Sequence, residues 1–195
     1  MTNATKVTEE YPGEGKGVLE ILANPWDESK AMLLVEGSDE WGVKAGRETL
    51  VNKGIKVQTA VTEIELEEIK IAKNFASNYT LELYTQQVSN HFVLQNTQQI
   101  PYLKGDLKNP DSYTHIVSPP TVTRVNDSYI VELYTWTEYG GVLSRWKIKV
   151  EKQIITHIRV DVVDTHVGHF VATPAEGFIP SPGTILADEK IKWRN

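Results

Sequence analysis

The clearest pattern along the chain is an alternation of apolar and polar positions between Thr121 and Val163. Segments 121–125, 129–138, 142–150 and 154–163 are rich in Val, Ile, Tyr, Trp and Thr. Turn formers separate them at Asn126-Asp127-Ser128, Gly140-Gly141 and Glu151-Lys152-Gln153, the signature of consecutive antiparallel hairpins. Gly140-Gly141 can supply the positive φ of a two-residue turn. That turn sets Tyr139 opposite Val142, and then Trp136 opposite Arg145, Thr135 opposite Trp146, Leu133 opposite Ile148 and Val131 opposite Val150. In this register Val131, Leu133 and Thr135 share an apolar face with Trp146, Ile148 and Val150. A three-residue turn at 151–153 adds Ile154, Thr156, Ile158 and Val160 to the same face. The opposite face is mixed, with Ile130, Tyr134, Trp136, Arg145, Lys147, Ile155, His157, Arg159 and Asp161, and with Glu132 facing Lys149.

Upstream, residues 1–15 are polar and close on Pro12, Gly13 and Gly15, which reads as a flexible lead-in. Val18–Leu22 suggests a strand and Asn24-Pro25 a turn. Ala31-Met32-Leu33-Leu34-Val35 is an unbroken apolar run of strand length that calls for cover on both faces. Ser38 as N-cap, with Asp39 and Glu40 in the first turn, predicts a helix to about Asn52, stopped by Lys53-Gly54. Ile55–Val61 then reads as another strand, giving a β-α-β unit whose two strands are parallel across a right-handed crossover. Thr62 and Glu65 have capping-box spacing, and Leu66, Ile69, Ala72, Ala76, Tyr79 and Leu83 recur at helical intervals, predicting a long helix into the middle eighties. Pro174, Gly177, Pro180, Pro182 and Gly183 predict an irregular tail.

These elements predict an α+β fold. An N-terminal β-α-β unit (16–61) precedes a domain (62–171) with a long helix packed on a curved, antiparallel four-stranded meander, in a cystatin-like or nuclear-transport-factor-2-like layout. Residues 172–195 form the tail. The 195 residues are 40% hydrophobic and 24% charged, enough to bury a core.

The net charge of −6 offers no general attraction to phosphate backbones, so nucleic acid is not an expected partner. The absence of cysteine removes disulfides, thiolate nucleophiles and iron–sulfur ligation. No apolar run reaches the roughly 20 residues of a membrane span, so no membrane insertion is expected. A chain native from Met1 would be expected in the cytoplasm, and one cut from a longer precursor at the cell surface. Asn3, Asn78 and Asn126 each sit in an Asn-x-Ser/Thr triplet, which chance also supplies.

The segment Gly13–Gly46 is distinctive, with Gly15-x-Gly17-Val18-Leu19-Glu20, Asn24-Pro25-Trp26-Asp27, and Leu33–Gly42 followed by Ala45-Gly46. It resembles a segment of archaeal S-layer-type surface proteins. The resemblance covers less than a quarter of the chain and implies an α/β unit in a cell-surface assembly, with no catalytic residues transferred. On the residues alone, Pro25 turns the chain, Trp26 anchors the turn and Gly37 lets the backbone leave the strand.

Candidate chemistry is sparse. The Gly37-Ser38 helix start could offer N–H groups to a phosphate, but Asp39 and Glu40 repel an anion and no Walker lysine follows. Asp161, Asp164, His166 and His169 are the densest set of potential metal ligands, without a metal-specific spacing. His91, His115 and His157 could transfer protons but lack a triad pattern. Glu132 with Asp161 could form a carboxylate pair, with Lys149 and Arg145 as ion-pair partners instead. The sequence therefore assigns no catalytic residue, metal or cofactor. The expected function is noncatalytic binding or assembly, through sheet edges or the mixed face, with a protein partner or a second copy. The alternative is a small-molecule binder or enzyme with a pocket between helix and sheet, lined by Tyr134, Trp136, Arg145 and His157.

Overall fold

The computed structural model describes residues 4–27, 29–53, 61–79, 91–171 and 179–191. It divides into two compact units, Met1–Lys70 and Ile71–Asn195. Among the described residues there are nine strands and two α-helices.

The first unit holds β1 (Lys16–Ala23), β2 (Ala31–Gly37), α1 (Glu40–Lys53) and β3 (Val61–Glu65). Its sheet order is β2-β1-β3, and both pairings are antiparallel. The expected parallel β-α-β unit is thus corrected. β2 and β3 run in the same direction, but β1 lies between them, so the crossover through α1 links strands that do not pair. Most of the expected strand at 55–61 lies outside the described residues. The expected helix start at Thr62 is also corrected, because Val61–Glu65 pairs along β1 with Lys16 opposite Glu65.

Asp39, not Ser38, caps α1, accepting from the Gly42 N–H at 2.7 Å. Its other oxygen accepts from Gly15 N–H at 2.9 Å, and Ser38 accepts from Gly13 N–H at 3.1 Å. The lead-in is thereby tied to the helix start. The first turn of α1 lies so close to the sheet that a Cβ on Gly42 would strike the Lys16 carbonyl, and one on Gly17 the Gly42 carbonyl. Trp26 does not anchor its turn. Its side chain is exposed, and the turn is held by Asn24, which accepts from the Trp26 N–H at 2.9 Å, and by Asp27.

The division between units falls within α2 (Glu67–Asn78), which is far shorter than the long helix expected. Residues 80–90, where that helix was to end, lie outside the described residues. The second unit is built on a six-stranded antiparallel sheet, ordered β4 (His91–Leu94), β6 (Ser128–Thr137), β7 (Leu143–Glu151), β8 (Ile154–Asp164) and β9 (Ile185–Lys190). β5 (Thr121–Val125) also pairs with β6, beside the stretch Ser128–Glu132. The four-stranded meander on a long helix, with its cystatin-like or nuclear-transport-factor-2-like layout, is therefore overturned. The tail is not wholly irregular, since β9 adds a strand to β8.

The pleating phase agrees with the sequence. Val131, Leu133, Thr135, Trp146, Ile148, Val150, Ile158 and Val160 are all buried, and the pairs Leu133↔Trp146 and Val131↔Ile148 place them on one face. This register differs by two residues from the one Gly140-Gly141 suggests. The hairpin closes at Thr137 N–H to Val142 O (3.0 Å), leaving a four-residue loop. A two-residue shift keeps every side chain on its face while changing every partner. At the next hairpin Lys152 and Gln153 form a two-residue turn with φ of 50° and 65°. A bulge between Lys149 and Val150 then changes the parity of β8. Ile155, not Ile154, is consequently the buried residue.

Candidate functional site

Tyr134 and Trp136 are both buried on β6. They are 6% and 3% exposed and lie in an apolar cluster with Leu94, Ile100, Val117, Leu143 and Val167. The Trp136 indole N–H donates to Val167 O at 2.9 Å. Burial, with Glu132 nearby, pushes the Tyr134 hydroxyl up. Both rings serve as a floor on which the segments around 94–117 and 163–170 are laid.

Asp164 fastens that cover. It accepts from Lys108 Nζ, from Tyr113 OH at 2.7 Å and from Thr165 N–H at 2.8 Å. Burial alone would raise its carboxyl, but these donors outweigh burial and hold it below the ordinary carboxylate range. The same contact, added to burial, raises Tyr113. Gly168, at φ 72°, lets the chain pass where a Cβ would meet Ile100 and the Pro101 carbonyl.

Arg145 and His157 sit on the part of this outer face left open. The register places Arg145 between Tyr134 and Asp161, and sets Trp136 opposite Leu143 instead of the expected Arg145. Arg145 reaches Asp161 at 3.3 Å and Arg159 reaches the same carboxylate at 3.0 Å. His157 Nε2 lies 3.0 Å from Asp188, which also holds Arg159 at 3.0 Å. Glu132 pairs with Lys147 at 3.2 Å, not with Lys149. The result is a lattice of alternating charges across β6, β7, β8 and β9, each pair half-exposed and individually weak.

An open cleft of about 400 Å³ runs beside Arg145, Arg159 and Asp161, with Ile116, Val163 and Ile185 as apolar walls. It lies on the outer face, away from Trp146, so the expected pocket between helix and sheet is not where the cleft is found. Asp161, held by two arginines, is an anchor and offers no free base.

Of the metal candidates, Asp161 and Asp164 are engaged as above, His166 contacts Thr165 and Phe170, and His169 lies 3.5 Å from Asp106. Among the described residues no group of three or more His, Cys, Asp or Glu could hold a metal ion. His115 is exposed. His91 is buried on β4, edge-on to Trp146 at 5.4 Å, with Nδ1 3.4 Å from Thr135 Oγ1. Burial pushes it down to about 4.

The feature that sequence reasoning missed is β2. Its apolar run was expected to be covered on both faces, yet among the described residues β2 is an edge strand and none of its residues is buried. The backbone phase follows from Asn24 N–H bonding to Lys30 O at 3.1 Å. With a period of two, Met32, Leu34 and Glu36 bond toward β1, while Ala31, Leu33 and Val35 direct N–H and C=O groups outward. Edge β9 carries Asp188, Glu189 and Lys190, charges that deter pairing, whereas Ala31–Val35 carries none.

Among the described residues no helix is long and apolar enough to cross a membrane. No protein-family profile matches the chain, and no solved structure matches it. A stretch of 67 residues, 34% of the chain, is 33% identical to an uncharacterized protein of Methanocaldococcus jannaschii and covers 15% of that protein. The chain thus matches only a small part of that relative's length.

Proposed function

We propose that this protein is a noncatalytic binding or assembly module that accepts a partner's strand along β2. The observation that carries the reading is the apolar edge Ala31–Val35, with no buried residue and a row of outward backbone groups at Ala31, Leu33 and Val35. Strand addition satisfies those groups and removes apolar surface from water in one step. Supporting it, the carboxylates of the outer face are engaged in ion pairs. We infer a cell-surface setting, in line with the resemblance of residues 13–46 to S-layer-type proteins.

The test is binding of a fluorescein-labelled peptide copying residues 29–38, followed by anisotropy. Wild type should bind it, and Leu33→Pro, which removes an outward N–H while sparing the β1 ladder, should not. Equal binding by both proteins, with unchanged circular dichroism, refutes strand addition at β2. A second reading, small-molecule binding, draws support from the cleft of about 400 Å³ beside Arg145, a size within the usual ligand range.

A further inference from the structure

We propose that the strand received by β2 is β2 of a second copy of this chain, paired antiparallel about a twofold axis through Leu33. The inference rests on the reading of β2 as a binding edge and names its occupant.

Two features bear on the axis, and the charge pairing selects it. The first is charge. The apolar run is bounded by Lys30 on one side and Glu36 on the other. When such a segment is laid antiparallel on itself, Lys30 of each copy falls opposite Glu36 of the other only if the axis passes through residue 33. The Lys30 side chain is 70% exposed, with Asp27 at 2.7 Å as a local partner. Glu36 Oε2 is buried and has no hydrogen-bond partner. The second feature is backbone phase. An axis falling between two residues would set outward groups against inward ones and leave the ladders unable to bond, whereas an axis through Leu33 is allowed. Leu33 points them outward, so Leu33 bonds to its mate and Ala31 bonds to Val35 on each side, giving about six inter-strand hydrogen bonds. The Lys30–Glu36 pairs then fall at non-hydrogen-bonded positions, where opposed side chains stand closest.

The apolar surface agrees. Leu33 is 45% exposed and pairs with Ile21, which is 41% exposed. Self-pairing joins these into one row, Ile21, Leu33, Leu33 of the mate and Ile21 of the mate, across four adjacent strands. It turns two three-stranded sheets into a single six-stranded one, a closed isologous contact that does not propagate.

The twofold doubles every charge effect, which makes a decisive experiment available. Lys30→Glu places like charges at both ends of the interface, and so does Glu36→Lys. Sedimentation velocity of the full chain at low salt should show dimer for wild type, and at least about tenfold weaker association for each single variant. The two variants mixed one to one should regain it, because each supplies the charge the other lacks. A loss of folding would not be rescued by mixing, and circular dichroism monitors it directly. Since the chain has no cysteine, Leu33→Cys provides a second readout. The paired Cα atoms would be about 5.5 Å apart, within disulfide reach, so this variant should cross-link on oxidation while Val51→Cys should not. A wild type that stays monomeric up to about millimolar concentration overturns the proposal, as does association indifferent to both charge reversals. If that monomer still binds the 29–38 peptide through Leu33, self-pairing fails while strand addition stands. If Leu33→Pro changes nothing, strand addition itself fails.

Discussion

Acidification should destabilise the second unit through one buried histidine. His91 is 6% exposed, its ring against Trp146 and its Nδ1 facing the Thr135 hydroxyl. That hydroxyl already accepts the Trp146 indole N–H at 2.8 Å, so its own proton is left for Nδ1, which must be unprotonated to accept it. Burial therefore holds the ring neutral and moves its pKa from 6.5 to about 4. Protonation is then easier in the unfolded chain. The stability this site contributes is complete above pH 6.5, shrinks as the pH falls, and is gone below about 4. The gap corresponds to about 3 kcal/mol, of which roughly 2.5 kcal/mol should be lost by pH 4.5. That is a large share of the stability of a typical domain. Urea unfolding of wild type and His91→Phe from pH 7.5 to 4.5 isolates the site, because other groups cancel in the difference. The difference should change in favour of the variant by that amount, and the His91 ring protons should titrate near pH 4. Parallel stability curves, or a ring midpoint near 6.5, would refute the argument that burial keeps this ring neutral.

Three further outcomes follow from local geometry. Lys152 and Gln153 occupy left-handed backbone in the β7–β8 turn. Replacing the pair by Asn-Gly should stabilise the protein by about 1–2 kcal/mol in urea unfolding. Asp164→Asn weakens the clasp on Lys108 and Tyr113, and should cost about 1–3 kcal/mol. It should also lower the Tyr113 hydroxyl titration followed by ultraviolet absorbance, since Asp164 helps to raise it. In the first unit Gly42→Ala drives a methyl into the Lys16 carbonyl. It should cost at least about 2 kcal/mol, seen as a lower midpoint of thermal unfolding.

What the sequence reveals is the face each residue takes, more than its partner. Leu133, Trp146 and Ile158 lie where alternation puts them because the period of two is a property of each strand alone. Register is not local. Gly140 and Gly141 widen the β6–β7 loop because they are bonded elsewhere, Gly140 with Val171 and His166 and Gly141 with Val167. No signal in the hairpin announces those contacts. The bulge beside Val150 exchanges Ile154 for Ile155 in the same way. Thr62–Glu65 fits a helix start by spacing, yet alternates equally well as a strand, and the open side of β1 decides.

The candidate site shows the same division. Tyr134 and Trp136 are on the predicted face, but Ile100, Val117 and Val167 arrive from distant parts of the chain and cover them. Ala31–Val35 fails in the opposite sense. Its composition is that of a buried strand, and only the topology, with β1 taking the centre of the sheet, leaves it at an edge.

Amide hydrogen exchange along β2 tests the claim of an open edge that closes on pairing. In dilute protein the amides of Ala31, Leu33 and Val35 should exchange quickly and those of Met32, Leu34 and Glu36 slowly. Raising the concentration, or adding the 29–38 peptide, should slow the first set to the level of the second. Leu33 and Val35 amides already as protected as Leu34 in the dilute protein, or unprotected under every condition, would contradict the account.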